Sequence, residues 1–133
     1  MQQNIIGIRT GVDIIEIERV TRAYRRRPQQ FLQRLLTERE QKQLAAYKRP
    51  EQHLAARFAG KEAVLKLLGW GIGRLSWTEI EILSLPTGEP QVHLHGKAAT
   101  RAGELALSPI ALSLSHSRRY AVAQAVALSL TKK

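Results

Sequence analysis

Apolar positions recur along this chain with two periods, and the switches between them mark out the elements. The stretch NIIGIRTGVDII alternates weakly and is rich in β-branched residues, which predicts a strand from about Ile5 to Val12. Asp13 follows at its end, placed to cap a helix beginning IIEIERV, where Ile14, Ile17 and Val20 fall at helical spacing. Pro28 opens a short helix, PQQFLQRLL. TERE then reads as a capping box, with Thr37 at the cap and Glu40 three residues on, and the helix EREQKQLAAYK stops before Pro50. A long helix follows through LAARFAGKEAVLKLL to a C-cap at Gly69. Beyond it the period shortens: SWTEIEIL and QVHLH alternate around the turn PTGEP, which predicts a hairpin. GKAATRAGELAL predicts a helix weakened by Gly103. SPIALSLSHSRRYAVAQAVAL predicts two strands, Ile110 to Leu114 and Tyr120 to Leu128, around a tight turn at 116–119. This order defines an α+β fold, an antiparallel sheet packed by helices, in a single domain over residues 1–133.

The long helix carries charges where its pattern predicts burial. At about 100° per residue, Leu54, Phe58 and Leu65 share a face, and Val64, Leu67 and Leu68 extend it around most of the girth. Glu62 and Lys66 fall on the remaining sector among Ala55, Ala59 and Ala63, small residues that leave room for a ligand to approach. The plain alternative is an i, i+4 Glu62–Lys66 pair worth roughly 0.2–0.5 kcal/mol.

Charge narrows the partners. The 133 residues hold 21 Lys and Arg against 11 Asp and Glu, a formal charge of +10, which attracts nucleic acid, acidic membranes, acidic proteins or phosphorylated ligands. Arg19, Arg22, Arg25, Arg26 and Arg27 crowd one stretch, and guanidinium forks suit carboxylates and phosphates. The absence of cysteine excludes disulfides and thiolate metal sites and fits a cytoplasmic setting. No apolar run approaches about 18 residues, so no membrane span is expected. No secretory signal is expected at the N-terminus.

Several motifs fail their context. GWGIG follows a helix instead of opening one, which excludes a Rossmann or P-loop cradle, although Gly71 and Gly73 would let a ligand approach the backbone. His53, His93, His95 and His116 lack metal-ligand spacing. His116 lies in SLSHS, where a Ser–His nucleophilic site has only composition behind it, without a nucleophile elbow. Asp13 and Glu62 are the carboxylates that stand out. If they converge they repel unless a cation lies between them, and two carboxylates plus waters and phosphate oxygens suit Mg²⁺.

GVDIIEIERV and RFAGKEAVLKLLGWGIG resemble the two signature motifs of the holo-acyl-carrier-protein synthases, the small type of 4′-phosphopantetheinyl transferase. The resemblance runs on through RLLTERE, WTEIEIL, GEP and LSLSH in the family's order. It implies the 4′-phosphopantetheinyl transferase fold and transfer of phosphopantetheine from coenzyme A to a serine of apo acyl carrier protein, a step serving fatty acid biosynthesis. Adenosine 3′,5′-bisphosphate would be released. Asp13 and Glu62 would bind Mg²⁺, Lys66 would stabilise or protonate the leaving bisphosphate, and the serine proton would pass to Glu62 or to a water held by the metal. The resemblance further places Arg57 and Lys61 around the phosphates, Lys48 and Arg49 at the 3′-phosphate, and Gly71 and Gly73 beside the nucleotide. Ser113, Ser115 and His116 would lie near the adenine and pyrophosphate. It implies a homotrimer with sites between subunits, His116 coming from the neighbour, and an arginine cluster that meets the acidic helix of the carrier protein. That accounts for the basic charge without nucleic acid or membrane. The competing reading, a basic nucleic-acid-binding domain, lacks aromatic interleaving and any recognised motif. Two positions depart from the family pattern: Trp70 stands where a small residue is usual, and Gly60 replaces an alanine.

Overall fold

A nineteen-residue helix lying across a three-stranded sheet organises the molecule, a computed structural model that describes residues 3–70 and 74–130. The elements run β1 (Ile5–Glu16), α1 (Ile17–Arg26), α2 (Pro28–Leu35), α3 (Glu38–Leu44) and α4 (Pro50–Leu68), then a 3₁₀ turn at Trp77–Glu79. β2 (Ile80–Ser84), β3 (Pro90–Leu94), α5 (Gly96–Glu104), β4 (Ala111–His116) and β5 (Tyr120–Leu130) complete them. The strands form two antiparallel sheets, ordered β1-β5-β4 and β2-β3. The α+β, antiparallel architecture expected from the pattern is what forms.

Alternation along β5 explains how α4 sits so close. Ala121, Ala123, Ala125 and Ala127 are buried beneath the helix, while Tyr120, Val122 and Gln124 point away. On β1, Gly11 faces α4 so closely that a Cβ there would lie 1.8 Å from the Ala63 carbonyl oxygen. Only glycine fits. Val64, Leu67, Leu68, Ile80, Ile82 and Leu112 fill one part of the core; Ile17, Val20, Leu35, Leu36, Leu44 and Leu54 fill the other. Each fully buried aliphatic side chain contributes about 1.5–3 kcal/mol before entropy is counted.

The strand–helix boundary near Asp13 lies further along than the pattern predicted. β1 stays paired with β5 through Glu16↔Tyr120, so Asp13 sits inside the strand opposite Ala123 and caps nothing. The β5 hairpin arm is long enough to hold β1 in register. The first turn of α1 is anchored by the Ile17 N–H, which donates to the Arg119 carbonyl at 2.8 Å. The Thr37–Glu40 capping box forms as expected. Gly69 closes α4 at φ 76°, and the carbonyls of Leu67 and Leu68 accept from Arg9 Nε and Arg101 Nε at 2.8 and 2.9 Å. Trp70 is half-buried, with the Arg101 and Arg74 guanidinium groups 5.5 and 5.7 Å from its ring centroid. Gly71 and Gly73 lie outside the described residues.

Candidate active site

Asp13 follows Gly11 on the α4-facing side of β1, since side chains two apart share a strand face. Glu62 and Lys66, one turn apart on α4, meet it there. Lys66 does not close onto Glu62 as an isolated helical pair. Its Nζ crosses to β1, donating to the Val12 carbonyl at 2.9 Å and to Asp13 Oδ1 at 3.4 Å. The Asp13 side chain is 16% exposed and that of Lys66 54%. Glu62 is half-buried. Burial pushes its carboxyl pKa above the ordinary value, the Asp13 charge pushes it further, and Lys66 opposes both. Two acids near enough to repel, with one lysine to offset them, form a site suited to a divalent cation. Among the described residues no group of three or more His, Cys, Asp and Glu gathers that could by itself hold a metal ion.

The other two charges of the long helix turn inward, and here the expectation from resemblance needs correction. Lys61 is fully buried, its Nζ donating to Leu35 O, Glu40 Oε1 and Trp77 O at 2.6, 2.8 and 3.1 Å. An ammonium with its three protons engaged in the core does not reach a phosphate. Arg57 is 6% exposed, its Nε bonded to Ile82 O at 3.0 Å and its Nη2 to Gln43 Oε1 and Ser84 Oγ at 3.2 and 3.1 Å. That lacing of α4 to β2 keeps it from swinging towards a ligand.

A second polar group forms at the opposite end of α4. Lys48 and the N-cap residue Arg49 are exposed there. His53 stacks on Tyr47 with ring centroids 3.5 Å apart, and His116 stands edge-on to His53 at 6.2 Å. Nine residues of helix separate His53 from Glu62, about 14 Å at 1.5 Å per residue. The Ser113 and Ser115 side chains do not join His116. Strand alternation turns them to the open face of β4, whereas His116 lies on the α4 side. Ser113 borders a cleft of about 640 Å³ between β3 and β4, along with Glu89, Pro90, Ile110 and Leu112.

Arg19, Arg22, Arg25, Arg26 and Arg27 are all exposed on or beside α1; Arg25 reaches Glu51 at 3.6 Å. Next to them lie two adjoining apolar grooves that share Phe31 and Phe58, one bordered by Arg34 and Trp77, the other by Arg19 and Val20. The spacing along α4 predicts Phe58 on the buried face, yet it is only half-buried. Its partial exposure, and the grooves it joins, depend on how α1 and α2 splay from α4, which no local pattern encodes.

This is a small α+β protein with two acids and a lysine gathered at one side of a central helix and a basic cluster at that helix's start. Residues 9–125 match the model of the 4′-phosphopantetheinyl transferase superfamily. The chain is 47% identical over 122 residues to a holo-[acyl-carrier-protein] synthase of Natranaerobius thermophilus, an alignment spanning 92% of this chain and 96% of the relative. Its fold is similar to the crystal structure of the Neisseria meningitidis holo-[acyl-carrier-protein] synthase, with a TM-score of 0.81 and 33% identity over 93% of this chain and 98% of the other. It also resembles the Bacillus anthracis synthase in complex with coenzyme A (3′,5′-ADP), TM-score 0.74 and 34% identity over 94% and 97%. The chain belongs to the 4′-phosphopantetheinyl transferase superfamily.

Proposed function

We propose that this chain transfers 4′-phosphopantetheine from coenzyme A to a serine of apo acyl carrier protein, releasing adenosine 3′,5′-bisphosphate. The observation that carries the reading is the meeting of Asp13, Glu62 and Lys66, from the two motif stretches, at one place beside α4. Asp13 and Glu62 would hold Mg²⁺, whose remaining positions suit waters and pyrophosphate oxygens. When bound, the ion neutralises and orients the phosphate under attack. The serine oxygen attacks the phosphorus bearing the pantetheine arm, and the bond from that phosphorus to the bisphosphate breaks. The serine proton would pass to Glu62 or to a water held by the metal. Lys66, tethered by the Val12 carbonyl, offsets the charge growing on the bisphosphate.

The basic end of α4 serves the nucleotide. Lys48, Arg49 and His116 would meet its phosphates, and Ser113 with Glu89 and Pro90 at the start of β3 would border the base. Two such half-sites, about 14 Å apart on one helix, are matched most simply across a subunit boundary. The open face of the three-stranded sheet supports a homotrimer: Ile6, Ile8, Val12 and Ile14 are 58–66% exposed along β1. A row of that size on a soluble chain favours burial by other copies. The arginines of α1, beside the Phe31–Phe58 grooves, suit an acidic amphipathic helix of the carrier protein. The setting proposed is the cytoplasm. Among the described residues no helix is long and apolar enough to cross a membrane.

The test is mass spectrometry of apo carrier protein incubated with this protein, coenzyme A and Mg²⁺. A gain of one phosphopantetheine is expected. No gain, together with salt-sensitive binding to DNA or RNA, would overturn the reading in favour of a nucleic-acid-binding domain.

A further inference from the structure

Gly60, Lys61, Glu62 and Ala63 make up one turn of α4, and three of the four are locked from different sides. A Cβ on Gly60 would lie 2.8 Å from Ile82 Cδ1 and 3.2 Å from Leu114 Cδ2, so β2 and β4 press on the helix there. Ala63 receives the bare backbone of Gly11 from β1. Lys61 is held by Leu35 O, Glu40 and Trp77 O. Glu40, 1% exposed, also accepts from the Thr37 and Ile82 N–H groups, both at 2.9 Å. One buried ion pair thereby joins the end of α2, the start of α3, the 3₁₀ turn, β2 and α4. The fourth residue of the turn is Glu62, the one that faces Asp13.

Stability alone does not account for such a pair. Buried ion pairs can often be exchanged for apolar residues of similar volume without loss, and this one lies among leucines and isoleucines. Hydrogen bonds of fixed length and direction do what a leucine does not: they set the rotation of the helix. With side-chain tips about 6 Å from the axis, a 20° rotation moves a carboxylate by about 2 Å. That displacement is enough to uncouple Glu62 from Asp13.

We infer that the Glu40–Lys61 pair is a positioning device for Glu62, fixing the rotation of α4 so that the two metal-site carboxylates stand together. Neither residue touches the reacting atoms. The inference rests on the transferase reading of the Asp13–Glu62 site.

The test removes both charges at once, in the double variant Glu40→Leu/Lys61→Met. With coenzyme A as the varied substrate, KM is expected to stay within about twofold while kcat falls by about ten- to a hundredfold. Mn²⁺ affinity, read by electron paramagnetic resonance, is expected to fall with kcat. A double variant with unchanged kcat and Mn²⁺ affinity, whatever its melting temperature, overturns the inference. If that variant does not fold, Glu40→Gln keeps the volume and one acceptor; the same kcat-against-KM split is expected, and wild-type kcat and Mn²⁺ affinity there overturn the inference. Wild-type protein that transfers nothing would instead sink the transferase reading, and the Mn²⁺ affinities of the variants would still decide the positioning.

Discussion

Arg57 and Lys61 lie on one side of the central helix, Glu62 and Lys66 on another, and the two pairs stand in opposite relations to water. The inner pair is engaged with backbone carbonyls and with Gln43, Ser84 and Glu40. The outer pair is open, with Lys66 reaching over to Asp13 and Glu62 left under repulsion. The inner charges hold the helix; of the outer ones, Lys66 holds the Val12 carbonyl and Asp13, and Glu62 stands beside the Asp13 charge. Two glutamates show the same contrast. Burial raises the pKa of Glu62 and Asp13 raises it further. Burial would raise Glu81 too, but hydrogen bonds from Arg39, Thr37 and His95 outweigh it and hold that carboxyl at about 2.

The contrast is broken most severely from the inside. Lys61→Met leaves Glu40 buried without its cation and is expected to cost about 3–5 kcal/mol of stability, measured by denaturant unfolding. Lys66→Met, at an exposed position, is expected to stay within about 0.5 kcal/mol of wild type. Comparable losses for the two would erase the distinction.

On the outside the effect is on rate. Glu62→Gln is expected to lower transfer by about a thousandfold, with the melting temperature unchanged or higher because repulsion with Asp13 is relieved. Nearly normal turnover in that variant would refute the metal role.

The glutamates sharpen the contrast through pH. Glu81 has a folded pKa depressed from 4.5 to about 2. Its contribution is therefore present above 4.5 and lost as pH falls towards 2. Glu62, with a raised folded pKa, runs the other way: deprotonation costs the folded state more than the unfolded, so its term improves as pH falls. Melting temperature followed against pH should decline more gently on acidification in Glu81→Gln than in wild type. Parallel curves would remove Glu81 from the account. The smallest effect belongs to the exposed arginines of α1. Charge reversal at Arg19 and Arg22 is expected to weaken carrier-protein binding by about tenfold and leave coenzyme A binding unchanged, as calorimetry would show; equal loss of both would count against a docking patch.

Much of this was legible in the chain because the signals are local. The Thr37–Glu40 box, the Gly69 cap and the alternation of β5 each lie within a few residues of what they determine. Asp13 and Glu62 were recognisable as acids in apolar surroundings. What remained hidden depends on contacts far apart in sequence. The extension of β1 past Asp13 follows from its pairing with β5. The inward turn of Arg57 and Lys61 follows from where Glu40, Leu35 and Ile82 come to rest. The requirement for glycine at Gly11 follows from the approach of Ala63. Motif resemblance grouped all four helix charges around phosphate; burial separates them.

The central claim is that Asp13 and Glu62 bind one divalent ion jointly. The most direct measurement is Mn²⁺ affinity, by electron paramagnetic resonance in the presence of coenzyme A, for wild type, Asp13→Asn, Glu62→Gln and the double variant. Shared coordination predicts that each single variant loses most of the affinity and that the double variant loses little more. Wild-type affinity in both single variants, or losses that simply add, would contradict it.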